Sequence, residues 1–156
     1  VPKDQICVMS GPNLASEIIK GKPSSTVVAS EDLNCSTFVQ SKLNSSKFRI
    51  YTNTDIIGVE IGGALKNITA IAAGISDGLL LGDNAKASII TRGLAEMSRL
   101  GTCLGADKLT FSGLAGMGDL IATCSSDLSR NRRVGISLAK GLSLSQITKE
   151  MDKQIK

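Results

Sequence analysis

The sequence contains no histidine and no tryptophan, and its only aromatic residues are Phe38, Phe48, Tyr51 and Phe111. Without imidazole, proton transfer near neutral pH falls to lysine, a carboxylate, the tyrosine or a thiol. So few rings exclude a stacking platform for nucleic-acid bases. The eighteen basic and fourteen acidic residues are dispersed along the chain, leaving a net charge of +4 and no basic stripe, so no nucleic-acid partner is expected. Cys7, Cys35, Cys103 and Cys124 show no CxxC spacing and have no histidine to join them. Zinc or another bound metal is therefore not expected, and a reducing, cytoplasmic setting is the simplest fit. The opening Val1-Pro2-Lys3-Asp4 lacks the charged-then-apolar pattern of a signal peptide. The longest apolar run, Ile56 to Leu81, carries Glu60, Lys66 and Asp77. Each central charge would cost about 2.5–3.5 kcal/mol in a bilayer, so a buried helix is expected there rather than a membrane span.

What is present divides into two regimes. At 156 residues the chain suits one domain or parts of two. A short strand, Ile6–Met9, leads into the turn Ser10-Gly-Pro-Asn13 and a brief helix that stops at Gly21. The β-branched stretch Ser25–Ala29 predicts a second strand, and Phe48–Thr52 a third. Between them Glu31–Leu43 predicts an amphipathic helix with Cys35, Phe38, Val39 and either the Lys42 stem or Leu43 facing inward. After the turn Asn53-Thr54-Asp55, strand signals stop. Helices are expected over Ile56–Ser76, from an Asp83-Asn84 cap to Leu100, over Ser129–Lys140 and over Leu144–Lys156, the last with a Ser143/Gln146 capping box. The expected fold class is α/β plus all-α. Residues 1–54 form the closing edge of a Rossmann-type dinucleotide-binding domain, and residues 55–156 a helical catalytic and substrate domain. A strand arriving in mid-sheet and a helical pattern still running at Lys156 lead us to expect a fragment of a longer protein.

Lys66 is the first candidate for catalysis. An amine in the apolar, glycine-bearing run Ile61-Gly-Gly-Ala-Leu-Lys66-Asn67 is costly to bury unless it is used. Its neighbours on the same helical stripe are Gly62, Gly63, Ala70, Ala73 and Asp77. Two mid-helix glycines cost about 1 kcal/mol each relative to alanine. They would be explained by close helix packing, by room for a substrate, or by both. A stem that snorkels to water is the plain alternative for the lysine. Gly113-Leu-Ala-Gly116-Met-Gly118-Asp119 predicts a flexible loop that aims Asp119, either as a helix cap or at a substrate hydroxyl and the lysine. It is not a dinucleotide fingerprint, because the glycine order is reversed and no strand precedes it. Ser129-Arg130-Asn131-Arg132-Arg133 opens a helix, where free N–H groups and a guanidinium make an anion site; a solvated basic patch is the alternative. Gly11-Pro12-Asn13 follows a strand, at the edge where open α/β sheets bind ligands.

Taken together, Ser10-Gly-Pro-Asn-Leu-Ala15, Ile57 to Asn67, Thr91 to Met97, Gly113 to Asp119 and Ser129 to Arg133 closely resemble NAD(P)-dependent sn-glycerol-3-phosphate dehydrogenases of the bacterial type. The resemblance covers nearly the whole chain, with the motifs in the family's order. It implies a hydride exchange between NAD or NADP and the pair dihydroxyacetone phosphate/sn-glycerol 3-phosphate, feeding phospholipid synthesis in the cytoplasm. It implies Lys66 as the proton donor and acceptor. Gly11, Asn13, Lys66, Asp119, Ser129, Arg130 and Asn131 are implied to contact the substrate, and Ala15 and Arg130 the cofactor. The family's amino-terminal glycine fingerprint is missing here, so the fragment alone is expected to be inactive. Two other readings are another lysine-dependent dehydrogenase of the β-hydroxyacid type and a non-catalytic helical binding or dimerisation module packed through Gly62-Gly63. A homodimer is the protein partner open to these readings.

Overall fold

The computed structural model describes residue 2 and residues 5–153. Its amino-terminal part is a three-stranded sheet of β1 (Val8–Ser10), β2 (Ser24–Ala29) and β3 (Phe48–Asn53), in that spatial order. β2 and β3 run parallel, Ser24 opposite Phe48, as a crossover helix requires. That helix is α2 (Leu33–Leu43), capped by Asp32, whose side chain accepts from the Asn34 N–H. β1 is antiparallel to β2, Val8 opposite Ala29. The short helix α1 (Ala15–Ile19) follows the Gly11-Pro12-Asn13 turn.

Two expectations for this region change. β1 begins two residues later than Ile6, because only Val8–Ser10 find partners on β2. Phe38 on α2 faces outward instead of inward, and Leu43 is exposed as well. The face turned to the sheet is built from buried Ser36 and from Gln40, whose amide donates to the Ile50 carbonyl at 2.8 Å. Phe38 is left outside, with the Lys42 ammonium 5.4 Å above its ring.

The remainder is helical: α3 (Ile56–Gly78), α4 (Asp83–Cys103), α5 (Asp119–Ser125), α6 (Arg130–Ala139) and α7 (Leu144–Lys153). The expected continuation of the last helix to Lys156 lies outside the described residues. Asp55 starts α3 and ties it down at once. One carboxylate oxygen caps the Gly58 N–H at 2.8 Å, and the other accepts from Thr110 Oγ1 at 2.6 Å and the Asp107 N–H at 2.9 Å. By length and composition α3 could cross a membrane. Here it is the central helix of the molecule, packed by α4, α5, α6 and β1.

The expected glycine loop before Asp119 is not a loop. Lys108–Ser112 forms a 3₁₀ turn and Leu114–Gly118 a π-helical turn that runs directly into α5. Glycine serves close approach there: a Cβ on Gly116 would overlap the backbone of Phe111, and one on Gly62 of α3 the Ala115 carbonyl oxygen. One core cluster, around Phe111, Leu120, Met97 and Ala73, holds the helices together. A second, of Val27, Ala29, Val59 and Ala115, joins sheet to helices. The seam between these two parts is where the chemistry-bearing residues gather.

Candidate active site

The loop after β1, the middle of α3, the start of α5 and the start of α6 converge on a cavity of about 720 Å³. Gly11, Asn13 and Ala15 line its sheet side, Lys66 and Asp119 its floor, and Ser129, Arg130 and Asn131 its far wall. These eight sequence candidates therefore border one space.

At the floor, Lys66 Nζ donates a charge-assisted hydrogen bond to Asp119 Oδ2. The lysine side chain is 20% exposed and that of the aspartate 4%, so the pair is closed on the protein side and open toward the cavity. Asp119 is the first residue of α5, yet it does not cap that helix. Its carboxylate instead accepts from Ser10 Oγ at 3.4 Å and lies 3.2 Å from Thr123 Oγ1, which donates chiefly to the Asp119 backbone carbonyl at 2.6 Å. The lysine therefore does not snorkel outward; it is held from across the cavity floor, 53 residues away in sequence.

The opposite wall is a helix N-terminus. Ser129 is buried and caps α6 by accepting from the Arg132 N–H at 3.2 Å. Asn131 donates to Asn67 Oδ1 at 2.7 Å, locking the first turn of α6 onto α3 beside Lys66. Arg130 is exposed at the mouth and has no hydrogen-bonded or ionic partner among the described residues. Arg132 leaves the cavity and joins Asp77 at 2.6 Å, where Lys86 also binds at 2.7 Å. Only part of the basic cluster therefore faces the ligand space.

The Asp77 knot fixes α6 against α3 and α4. Burial by itself would raise the Asp77 carboxyl; hydrogen bonds from Lys86 and Arg132 outweigh it and hold the group below its ordinary 3.8. The folded pKa thus lies below the unfolded one. The stabilisation is complete above about pH 4 and disappears as pH falls through the folded value. Asp77→Asn is expected to cost about 1.5–3 kcal/mol at pH 7, the worth of hydrogen bonds to charged partners. In urea melts the gap between parent and variant should close below pH 4, and a gap that stays constant with pH would contradict this assignment.

Three participants escaped sequence reasoning. Thr123 lies one helical turn after Asp119, an i,i+4 relation that could have drawn attention to it. Asn67 adjoins Lys66, but nothing local signals its bond to Asn131. Ser10 reaches Asp119 from the end of β1, a contact with no local sequence signal.

The fold and site define a class: the edge of a Rossmann-type domain followed by a helical domain that carries a lysine–aspartate pair at the junction. Residues 1–36 match the model of the NAD-dependent glycerol-3-phosphate dehydrogenase N-terminus, and residues 55–156 that of its C-terminus. The chain belongs to the NAD-dependent glycerol-3-phosphate dehydrogenase family. It is 57% identical over 147 residues to glycerol-3-phosphate dehydrogenase [NAD(P)+] of Geobacter metallireducens, covering 94% of this chain and 44% of the relative. The Streptomyces griseus protein of the same name is 54% identical over 159 residues, covering 100% of this chain and 47% of the relative. Among solved structures, glycerol-3-phosphate dehydrogenase from Coxiella burnetii superposes with a TM-score of 0.91 at 46% identity, covering 93% of this chain and 45% of that one. The Saccharomyces cerevisiae enzyme does so with a TM-score of 0.81 at 31% identity, covering 91% and 43%. The chain thus spans about half the length of the curated relatives it matches.

Proposed function

We propose that the full-length protein interconverts dihydroxyacetone phosphate and sn-glycerol 3-phosphate with NAD(P)H, and that residues 55–156 carry the substrate side of this reaction, with the domain boundary near Thr54. The observation that carries the reading is a single cavity with an ammonium–carboxylate pair on its floor and an arginine at a helix N-terminus on its wall. A small, phosphorylated carbonyl compound suits that separation of roles.

The substrate phosphate is bound at the first turn of α6, by Arg130 and the free N–H groups behind the Ser129 cap. Lys66 faces the carbonyl oxygen. Its positive charge stabilises the alkoxide that develops there, and its proton then completes the hydroxyl. Oxidation of glycerol 3-phosphate runs these roles backward, with neutral Lys66 taking the hydroxyl proton. Asp119 holds the amine in place, braced by Thr123 and Ser10. Gly11, Asn13 and Ala15 are the residues on the sheet side that would meet the cofactor and the substrate beside it. Asn13 fits such a role: its amide nitrogen is held by Thr26 Oγ1 at 2.8 Å, while its carbonyl oxygen is buried without a partner among the described residues and is free to accept from a ligand. A nicotinamide bound there would supply the hydride chemistry of the reaction. On the family's precedent the product would supply phospholipid synthesis in the cytoplasm.

The test is oxidation of NADH and NADPH by the full-length protein with dihydroxyacetone phosphate. Rapid oxidation with at least one of them is expected, and none from a folded protein would overturn the reading. Arg130→Gln in the same assay is expected to raise KM about 10–100-fold, from the loss of one or two charged hydrogen bonds, with a smaller change in kcat. An unchanged KM would make Arg130 a solvated surface charge.

A further inference from the structure

Cys7 and Cys35 take no part in the site, and no spacing rule pairs them. The fold nevertheless brings their sulfur atoms to 3.2 Å. Cys7 lies at the entry to β1, and Cys35 in the first turn of α2. Both are partly buried, not sealed, so a small reagent has access to the pair. A disulfide needs about 2.05 Å between sulfurs, a closure that rotation of two side chains can provide where the thiols already touch. The other two cysteines have no such neighbour. Cys103 is exposed near the end of α4, and Cys124 is fully buried in the helical core.

We propose that Cys7 and Cys35 form a reversible disulfide, a redox modification site that clamps β1 to α2. The co-reactant is a low-molecular-weight disulfide of the glutathione type. The Cys35 thiolate attacks it, forming a mixed disulfide and displacing one small thiolate. The Cys7 thiolate then attacks the Cys35 sulfur, the protein disulfide forms, and the second small thiolate leaves. Both protein thiol protons end on the two released thiols, so two protein thiols are oxidised and one small disulfide is reduced. Burial and the hydrogen bond to Cys35 push the Cys7 thiol above its ordinary value, which disfavours Cys7 as the first nucleophile. Burial pushes Cys124 up to about 11, which keeps it out of the exchange. The closed loop would contain β1, the Gly11-Pro12-Asn13 turn and β2. Oxidation should therefore stiffen the sheet side of the cavity without rearranging it.

The experiment treats the native full-length protein with glutathione disulfide, quenches by alkylation, and reads intact mass and a non-reducing peptide map. The expected product has lost two hydrogens, joins the Cys7 and Cys35 peptides, and returns to the starting mass with a dithiol. Its thermal midpoint should lie above that of the reduced protein by about 2–8 °C. Cys35→Ser should retain the fold but yield no internal cross-link. Cys103→Ser, a control away from the pair, should leave the cross-link intact. Alkylation of both Cys7 and Cys35 after treatment, a link involving Cys103, or a link formed only after denaturation would each overturn the proposal.

Discussion

Replacing Lys66 by methionine in the full-length protein is expected to lower turnover by about 10²–10⁴-fold, the usual worth of a positioned proton donor. Methionine keeps the length and apolar stem but removes both the proton and the charge. The same change strands Asp119, whose side chain is only 4% exposed, without its cation. Removing one partner of a fully buried ion pair costs about 3–5 kcal/mol; with the lysine open to the cavity, about 2–3 kcal/mol is expected here. Stability and catalysis can then be separated. Lys66→Met combined with Asp119→Asn should recover much of the lost stability, because no buried charge is left alone, but should recover no turnover. Restoration of both would make Lys66 a structural residue. Near-parental turnover in the single variant would remove it from the chemistry altogether.

Gly135→Ala is expected to produce the second-largest change. α3 and α6 cross so closely that a Cβ on Gly135 would overlap the Ile71 carbonyl oxygen. One on Gly74 would overlap that of Arg132, and one on Gly78 would crowd Ala139. Backbone cannot rotate away as a flexible side chain can, so the helices must separate. Overpacking of this kind costs about 1–3 kcal/mol, and a backbone obstacle places Gly135 at the upper end. The displaced helix is also the one whose first turn carries Arg130 and Asn131. A shift of about 1 Å in a positioning element can cost on the order of 10²-fold in rate. The urea midpoint and kcat/KM should therefore fall together. Loss of stability with unchanged kcat/KM would show that the first turn of α6 is positioned independently of the crossing.

These two effects show where the sequence is legible. The change from β-branched runs to 3.6-residue periodicity after Asp55 announces the passage from sheet to helices, and Asp55 and Ser129 both cap as their residue types suggest. Lys66 stands out because charge in an apolar helix is expensive. Asp119 is legible only as one of two readings, a helix cap or a group aimed at the lysine, because nothing local ties it to Lys66 across 53 residues; the structure pairs the two. Gly113, Gly116 and Gly118 read as a loop because glycine weakens helices; only the structure shows a π-helical turn there, with Gly116 letting it pass against the Phe111 backbone. Likewise Gly74, Gly78 and Gly135 carry no signal of a crossing until the two helices are seen together. Hydrophobicity alone places Phe38 inside, but α2 turns Gln40 to the sheet, where its amide donates to the Ile50 carbonyl, and Phe38 stays exposed.

The central claim is that the Lys66 amine itself carries the proton. Chemical rescue tests it most directly: full-length Lys66→Ala, with its side chain removed beside the open cavity, is assayed for NAD(P)H oxidation with dihydroxyacetone phosphate in the presence of small primary amines. An alkylammonium ion of suitable length should restore measurable turnover, saturating with amine concentration, while a tetraalkylammonium ion, which has charge but no proton, should not. A folded, substrate-binding Lys66→Ala protein that stays inactive with every primary amine, or responds equally to both ions, would contradict this claim.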